Sequence, residues 1–256
     1  MRRCFALFVL ALTLAGCASV VDPTKDWTAE KFYQTAKEDL DDGNYEEAIK
    51  LYEQLQGRYP YGRYAEQAQL EIAYAYYKFD EPALAVAACD RFIRQFPTHS
   101  NVDYAYYLKG LVNFRNKRSF GTWLFGSGDD LHDRDPRATR ESFQAFKELV
   151  ERFPNSRYAE DARLRMTYLF EAQARYEVSV AEYYYQRRAY VAAVNRTKYT
   201  LENYPRTPAT EDALGIQALA YKRMGLQQLH DDTVKILARN FPNSSYLKEI
   251  EAAAPG

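Results

Sequence analysis

Residues 36–60 read AKEDLDDGNYEEAIKLYEQLQGRYP, and this stretch decides the fold. A turn of aspartate, glycine and asparagine at residues 42–44 divides it into two segments, and each segment carries a small packing residue, Ala36 in the first and Ala48 in the second. Proline cannot continue a helix, so the closing pair Tyr59-Pro60 predicts the end of the second segment. The stretch therefore predicts two short helices that approach closely at alanine and stop at an aromatic residue followed by proline.

The same closing pair occurs five times, and the residues before it recur in register. The pairs are Tyr59-Pro60, Phe96-Pro97, Phe153-Pro154, Tyr204-Pro205 and Phe241-Pro242, at intervals of 37, 57, 51 and 37 residues. Counting back from the proline gives Ala36, Ala73, Ala181 and Ala218 at 24 residues, Asp39, Tyr76, Tyr184 and Tyr221 at 21, and Ala48, Ala85 and Ala193 at 12. Periods of this length are typical of stacked helix pairs.

The pattern resembles the tetratricopeptide repeat over residues 28–247. The resemblance implies an all-α fold, a right-handed solenoid of five helix pairs. The repeat is longer than the family's usual length of about 34 residues, and Phe32 stands where the consensus has tryptophan. These departures concern how the helices cross rather than the architecture.

The longest interval locates an insertion in repeat three. Its small residue is Gly110, which lies 44 residues before Pro154 instead of 24, so about 20 residues have been added between them. Three glycines and Pro136 interrupt any helix there, and we predict a glycine-containing loop over residues 117–136 with an apolar tip at Trp123-Leu124-Phe125. The tip either serves in binding or packs against its own repeat.

Repeat four carries 14 extra residues before Ala181, which is close to four turns of helix. Because residues 157–188 contain neither glycine nor proline, we predict one long helix there. It would join repeats one to three, over residues 28–156, to repeats four and five, over residues 157–247, with a tail over residues 248–256.

The first residues have the layout of an export signal. Arg2 and Arg3 precede an apolar run over residues 5–15, which is too short to cross a bilayer. The run ends in Leu14-Ala15-Gly16-Cys17, which resembles the lipobox of bacterial lipoproteins and implies a signal peptide of residues 1–16, acyl chains such as palmitate on Cys17, and a lipid-anchored linker over residues 17–27. Ala18 after the cysteine implies sorting to the outer membrane, on its periplasmic face. The alternative is an ordinary signal peptide with a chance cysteine.

The composition argues against two classes of protein. Lys and Arg number 34 against 35 Asp and Glu, and the chain contains 23 Tyr, 14 Phe and 2 Trp. A nucleic-acid binder usually has a basic excess, and a disordered tail has few aromatic residues. We therefore expect a folded protein without a nucleic-acid partner.

No pattern of catalytic or metal-binding residues emerges from the sequence. His99, His132 and His230 are far apart, and none has a second histidine or cysteine at metal-ligand spacing. Motifs for phosphate loops, nucleophile elbows and zinc peptidases are absent from the sequence. Cys89 occupies an apolar helix position, which predicts a buried, inert thiol. We predict no enzymatic activity, no cofactor and no metal.

In tetratricopeptide arrays the first helix of each pair lines a groove, and counting from the small residue carries the groove positions over to this chain. They are Tyr33 and Lys37 in repeat one, Leu70, Tyr74, Tyr77 and Lys78 in repeat two, and Tyr104, Tyr107, Phe114 and Arg115 in repeat three. Such an aromatic groove with basic positions would accept an extended peptide that carries an aromatic residue and a carboxylate. The alternative for some of these tyrosines is packing between helices.

Longer strings are similar to the BamD family, the tetratricopeptide-repeat lipoproteins of the outer-membrane β-barrel assembly (BAM) complex. They are Tyr59-Pro60-Tyr61-Gly62, Ala73-Tyr74-Ala75-Tyr76-Tyr77-Lys78, Asp90-Arg91-Phe92-Ile93-Arg94, Pro97-Thr98-His99, Asp133-Arg134-Asp135-Pro136 and residues 176–184 and 191–196. They extend over nearly all of the exported chain.

That resemblance implies a non-enzymatic scaffold that joins the barrel-forming subunit BamA and other BAM lipoproteins and helps recruit unfolded outer-membrane protein precursors. It implies that the carboxy-terminal repeats contact the POTRA region of BamA through Arg196, for which the alternative is an exposed arginine paired with a local carboxylate. It also implies that the groove reads the precursors' carboxy-terminal signal, which ends in an aromatic residue. Alternative functions are another tetratricopeptide lipoprotein, such as a pilotin for a secretin, and a cell-wall enzyme.

Overall fold

The computed structural model describes residues 22–114 and 136–252. Within these ranges the regular structure consists of eleven α-helices. Contacts divide the chain into two units, one that ends at Ala68 and one that begins at Gln69. In the two described ranges, no helix combines the length and the apolar character that crossing a membrane requires.

The first unit contains the helix pair α1 (Ala29–Asp42) and α2 (Tyr45–Arg58) and the first turns of α3 (Arg63–Lys78). Thr28 caps the start of α1, where its hydroxyl accepts a hydrogen bond of 3.2 Å from the backbone N–H of Lys31. Every fourth residue of α1 is apolar and buried, which gives the helix one face that packs against α2. That face consists of Phe32, Ala36 and Leu40.

The residues that precede α1 fold back onto this pair. Arg58 at the end of α2 donates a hydrogen bond of 2.5 Å to the backbone carbonyl of Thr24 and forms an ion pair with Asp22. Trp27 packs edge-to-face on Phe32, with 5.2 Å between the ring centroids. The predicted linker of residues 17–27 is thus attached to the first helix pair from Asp22 onward.

The second unit contains the rest of α3 and eight further helices, of which each packs against the next along the chain. The helices are α4 (Pro82–Gln95), α5 (Val102–Phe114), α6 (Pro136–Arg152), α7 (Ala159–Gln186), α8 (Tyr190–Asn203), α9 (Ala209–Arg223), α10 (Gln227–Asn240) and α11 (Ser245–Ala252). The predicted all-α fold of tetratricopeptide-like helix pairs is confirmed.

The alanines found in register with the prolines lie where helices meet. Ala36, Ala48, Ala73, Ala85, Ala181, Ala193 and Ala218 are all 0% exposed. At Gly110, the small residue of repeat three, an added Cβ would lie 2.4 Å from the ring of Phe146 on α6. Glycine is therefore required there by the close approach of α6 to α5.

All five aromatic-proline pairs end the second helix of their pair, as the sequence predicts. The helices α2, α4, α6, α8 and α10 each stop one residue before the aromatic residue. In each case the aromatic residue's backbone N–H still bonds to the carbonyl four residues back, at 2.7 to 2.8 Å. The proline that follows has no N–H to extend the helix.

The turn between the two helices repeats the same backbone conformation in four pairs. Seven residues after the small residue, φ is positive, at 85° for Gly43, 64° for Asp80, 61° for Arg188 and 70° for Gly225. The residue after each of these donates its N–H to the carbonyl five residues back, at 2.8 to 3.0 Å. This bond of the Schellman motif satisfies a carbonyl at the helix end. The accepting carbonyls belong to the positions 21 residues before the proline, which are Asp39, Tyr76, Tyr184 and Tyr221.

The predicted long helix is α7, which runs unbroken for 28 residues. The predicted insertion lies outside the described residues, including its Trp123 tip, except that Pro136 is the first residue of α6. The predicted end of repeat five at Leu247 falls within α11, which continues into the predicted tail.

Candidate peptide-binding surface

In the first unit, the predicted groove residues Tyr33 and Lys37 lie on α1. The Tyr33 ring is half-buried and packs against two tyrosine rings, Tyr52 on α2 at 5.9 Å and Tyr64 on α3 at 5.5 Å. Lys37 forms an ion pair with Asp41 on its own helix, at 3.1 Å. Tyr33 therefore contributes to packing between helices as well as to the surface.

In the second unit, half-buried aromatic rings from α3, from α5 and from the residue before α7 form what we call the aromatic surface. Tyr74 and Tyr77 lie on α3 with 6.3 Å between their centroids. Burial, together with the nearby Tyr74 and Glu71, raises the pKa of the Tyr104 phenol on α5. The members of the aromatic surface are Tyr74, Tyr77, Tyr104, Tyr107, Phe114 and Tyr158.

Tyr158, which precedes α7, connects the two tyrosines of α5. Its ring stacks on Tyr107 at 4.7 Å with an interplanar angle of 17°, and it lies 5.5 Å from Tyr104. The Arg157 guanidinium lies over the Tyr158 ring, 4.8 Å from its centroid. The helix that begins at Ala159 thus places an aromatic ring and a cation beside predicted groove residues.

Two charged residues of α7 complete this region, and sequence reasoning missed both. The Tyr107 hydroxyl donates a hydrogen bond of 2.7 Å to Asp161 Oδ2, and Arg165 Nε donates one of 2.5 Å to the same oxygen. The Arg165 guanidinium lies 4.6 Å from the Phe114 ring centroid. We call Tyr107, Phe114, Tyr158, Asp161 and Arg165 the Arg165 cluster.

The protonation states of this cluster follow from its hydrogen bonds. Burial alone would raise the pKa of Asp161, but the hydrogen bonds from Arg165 and Tyr107 outweigh it and hold that pKa below its ordinary value. Burial likewise opposes the charge on Arg165, yet its bond to Asp161 raises the pKa of the guanidinium. Burial and the bond to Asp161 raise the pKa of Tyr107. At neutral pH the cluster therefore holds a carboxylate, a guanidinium and a neutral phenol.

The predicted partner residue Arg196 lies on α8, beside a cleft. Its Nη1 is 2.8 Å from Glu177 Oε2 on α7, and the side chains are 43% and 12% exposed. The cleft is lined by Glu177, Tyr176 and Tyr204 among others. Burial raises the pKa of Tyr204 to about 12, so its hydroxyl remains protonated.

Comparisons with known proteins agree with one another. The family model described as YfiO, outer membrane lipoprotein, matches residues 25–236. A protein of Neisseria meningitidis serogroup B named outer membrane protein assembly factor BamD is 47% identical over 255 residues, which cover 97% of this chain and 95% of the relative. The chain belongs to the BamD family. Further BamD proteins are 40% identical in Vibrio cholerae serotype O1, over 91% of this chain and 96% of the relative, and 36% identical in Haemophilus influenzae, over 93% and 90%.

Membership of the BamD family makes the chain an outer-membrane protein assembly factor, and the structure shows which predicted positions lie together. Tyr104 and Tyr107 both contact the Tyr158 ring just before α7, and Phe114 contacts Tyr168 on α7. Lys78 is exposed at the end of α3. Leu70 is an exception, because it is 8% exposed and belongs to the apolar core with Phe92. The predicted positions Arg115 and Cys17 lie outside the described residues.

The described cysteine and the two described histidines make packing or backbone contacts. Cys89 is buried, and burial raises the pKa of its thiol to about 12, which makes it a poor nucleophile. The His230 ring is buried with Nδ1 2.9 Å from the Ala218 carbonyl, and the His99 ring packs on Phe92. Residues 22–114 and 136–252 contain no group of three or more His, Cys, Asp or Glu placed to hold a metal. His132 lies outside them.

Proposed function

We propose that this chain is a non-enzymatic scaffold for the assembly of β-barrel proteins into the outer membrane, and that its aromatic surface binds the carboxy-terminal signal of unfolded precursors. The observation that carries the proposal is the aromatic surface itself, where rings of α5 stack with Tyr158 beside the Arg165 guanidinium and the two rings of α3 lie near Tyr104. Tyrosine suits such a surface because its ring offers apolar contact while its hydroxyl can stay hydrated. An extended peptide with an aromatic end has complementary chemistry.

Peptide binding tests this surface. The probe is a fluorescent ten-residue peptide that ends in phenylalanine with a free carboxylate, and the variant is Tyr74→Ala with Tyr77→Ala. Each lost aromatic contact is worth about 0.5–1.5 kcal/mol, so we expect the affinity to fall roughly tenfold by fluorescence anisotropy. The control removes two tyrosines elsewhere on the surface, Tyr183 and Tyr199, which are 51% and 44% exposed. Equal affinities of wild type and the Tyr74/Tyr77 variant would overturn the proposal.

We further propose that Arg196 contributes to binding the POTRA region of BamA. The support is its position on α8, in the carboxy-terminal repeats, where it is partly exposed next to an open cleft. In Arg196→Gln with Glu177→Gln, both charges are removed together so that the largely buried carboxylate does not lose its partner. We expect less BamA to co-purify from detergent-solubilised membranes, while Lys198→Gln on the same helix leaves recovery unchanged. Recovery of a secretin instead of BamA would favour a pilotin.

The proposed location is the periplasmic face of the outer membrane, held by acyl chains on Cys17. The support is the sequence Leu14-Ala15-Gly16-Cys17 together with the match to an outer membrane lipoprotein family. Two or more acyl chains give stable anchoring, whereas one chain binds only marginally. We expect Cys17→Ser to lose incorporated radiolabelled palmitate and to leave the membrane fraction; retention of both would contradict the anchor.

A further inference from the structure

The guanidinium of Arg165 is fixed in position from two directions. Asp161 holds its Nε through a hydrogen bond of 2.5 Å, and the face of the group lies against Phe114 at 4.6 Å. Asp161 is itself held by the Tyr107 hydroxyl at 2.7 Å. An arginine immobilised in this way loses little conformational entropy when it binds a ligand.

The two Nη groups of the guanidinium lie outside its hydrogen bond to Asp161, and the Tyr107 hydroxyl is a further neighbour of the group. Arginine has five N–H donors in a planar fork, and the bond to Asp161 uses the one on Nε. The opposite edge carries two Nη groups, which match the two oxygens of a carboxylate. The side chain of Arg165 is 28% exposed, so part of it is accessible from solvent.

Two stacked aromatic rings, Tyr107 and Tyr158, lie near that edge of the guanidinium. The Tyr107 hydroxyl and Arg165 Nε bond to the same oxygen of Asp161, so the Tyr107 ring lies beside the guanidinium. Tyr107 stacks on Tyr158, and Arg157 lies over Tyr158. A ligand that carries a ring and a carboxylate on one residue would place the ring on Tyr107 and Tyr158 and the carboxylate on Arg165.

We infer that the Arg165 cluster binds the last residue of an extended peptide, with the free α-carboxylate on the Nη groups of Arg165 and an aromatic side chain on Tyr107 and Tyr158. The inference deepens the proposed function and rests on it, since the aromatic surface must first bind such a peptide. The ion pair between Asp161 and Arg165 is partly exposed, so it contributes little to stability. We therefore assign Asp161 the role of positioning the guanidinium.

The test is a cycle of two peptides and two proteins. The ten-residue peptide that ends in phenylalanine is prepared as free acid and as carboxy-terminal amide, and each is titrated into wild type and Arg165→Gln. A hydrogen-bonded charge contributes about 1.5–3 kcal/mol, and partial exposure reduces this, so amidation should weaken binding to wild type about tenfold. Arg165→Gln should weaken the free acid equally, and amidation should then have less than about a twofold further effect.

Matched variants separate this site from general effects. Arg163→Gln removes the same charge from an exposed position of α7 and should keep the tenfold effect of amidation. If Arg165→Gln fails to fold, Arg165→Gln with Asp161→Asn removes both charges and keeps the test available. The Arg165 assignment is overturned if amidation still weakens binding tenfold in the Arg165 variant, or has no effect in wild type. If wild type and the Tyr74/Tyr77 variant bind each of the two peptides with equal affinity, the proposed function is overturned instead.

Discussion

At the scale of single residues, the small positions determine how closely the helices approach. Among the repeats, Gly110 occupies the tightest of these positions, because the Phe146 ring takes the space that a Cβ would need. Phe146 is itself 0% exposed and packs in the core between α5, α6 and α7. The ring cannot move away without disturbing that core.

The first prediction compares two glycines in helices. Gly110→Ala should lower the free energy of unfolding by about 1–3 kcal/mol, the usual effect of overpacking a core. Gly57→Ala should raise it by up to about 1 kcal/mol, because nothing lies within 4 Å of a Cβ there and alanine favours the helix. Urea unfolding measures both. Equal effects of the two substitutions would show that the Gly110 contact relaxes freely.

The second prediction concerns acid stability and Asp161. Its pKa is below the ordinary value of 3.8 in the folded state, so the folded form binds protons less readily than the unfolded form. Its contribution to stability is therefore complete above the unfolded pKa and is lost as the pH falls through the folded pKa. Because the side chain is 44% exposed, the contribution should stay below about 1 kcal/mol.

Urea midpoints of wild type and Asp161→Asn, measured from about pH 7 to about pH 2, test this difference. We expect the midpoint of wild type to fall more steeply at the acid end, so that the two curves converge there. Glu160→Gln, at the exposed neighbouring position, should give a curve parallel to wild type. Parallel curves for Asp161→Asn would contradict the prediction.

At the scale of elements, four turns share one backbone conformation although their sequences differ. Gly43 and Gly225 adopt positive φ without strain, whereas Asp80 and Arg188 adopt it with a side chain. A left-handed conformation is unfavourable by about 1–2 kcal/mol for a residue with a Cβ, and less for aspartate, which tolerates it. Arg188 is therefore the most strained of the four.

The third prediction follows from that strain. Arg188→Gly should raise the free energy of unfolding by about 0.5–1 kcal/mol, since the gain in the folded state exceeds the entropy of glycine in the unfolded chain. Gly43→Ala should lower it by a similar amount. The control is Arg187→Gly, at the preceding residue with φ of -83°, which should destabilise. A loss of stability in Arg188→Gly would mean that its side chain makes contacts worth more than the strain.

The sequence predicts the helix ends well but does not predict the role of Asp161 and Arg165 on α7, and both results have physical reasons. Proline and small residues act locally, so the aromatic-proline pairs and the alanines placed the helices without any tertiary information. Arg165 was missed because counting in repeat four began at Ala181, whereas the extra turns of α7 precede it. The signal was nevertheless present, since Tyr158, Asp161, Arg165 and Tyr168 recur at spacings of three, four and three, which marks one face of a helix.

Counting from the small residue of each repeat also assigned a buried residue, Leu70, to the groove. Its spacing from Ala73 equals that of Tyr33 from Ala36 and of Tyr107 from Gly110, yet Leu70 is buried in the core while both tyrosines are half-buried. A leucine side chain has no polar end to keep at the surface, so a leucine at the boundary between groove and core is buried. The positive φ of Asp80 and of Arg188 was likewise not predicted, because neither residue is glycine.

At the scale of the whole molecule, stacked helix pairs require covered ends, because each pair buries its apolar face only against a neighbour. In the first unit, residues 22–27 lie on the α1 and α2 pair through Trp27 and Arg58. In the second unit, α11 packs on α9 and α10 and covers them. Neither segment belongs to a helix pair.

The fourth prediction concerns removal of α11. Tyr246 lies so close to Gly215 on α9 that an added Cβ would be 2.2 Å from its ring, and Ile250 is 5% exposed. The Lys222 ammonium also donates to the Ile250 carbonyl at 2.5 Å. A chain that ends at residue 244 should lose about 2–5 kcal/mol of stability, the effect of deleting a large buried side chain. Thermal denaturation measures the loss, with a chain that ends at residue 252 as control.

The same truncation should leave peptide binding intact, because contacts in stacked arrays act mainly between neighbours. The Arg165 cluster packs with the core that contains Phe146 and Leu169, whereas α11 packs with a separate core around Leu214 and Leu237. Titration of the free-acid peptide into the shortened chain, below its melting temperature, should therefore give the affinity of wild type within about twofold. A large loss of affinity would mean that the helix pairs unfold as one cooperative block, in which the last helix stabilises the distant aromatic surface.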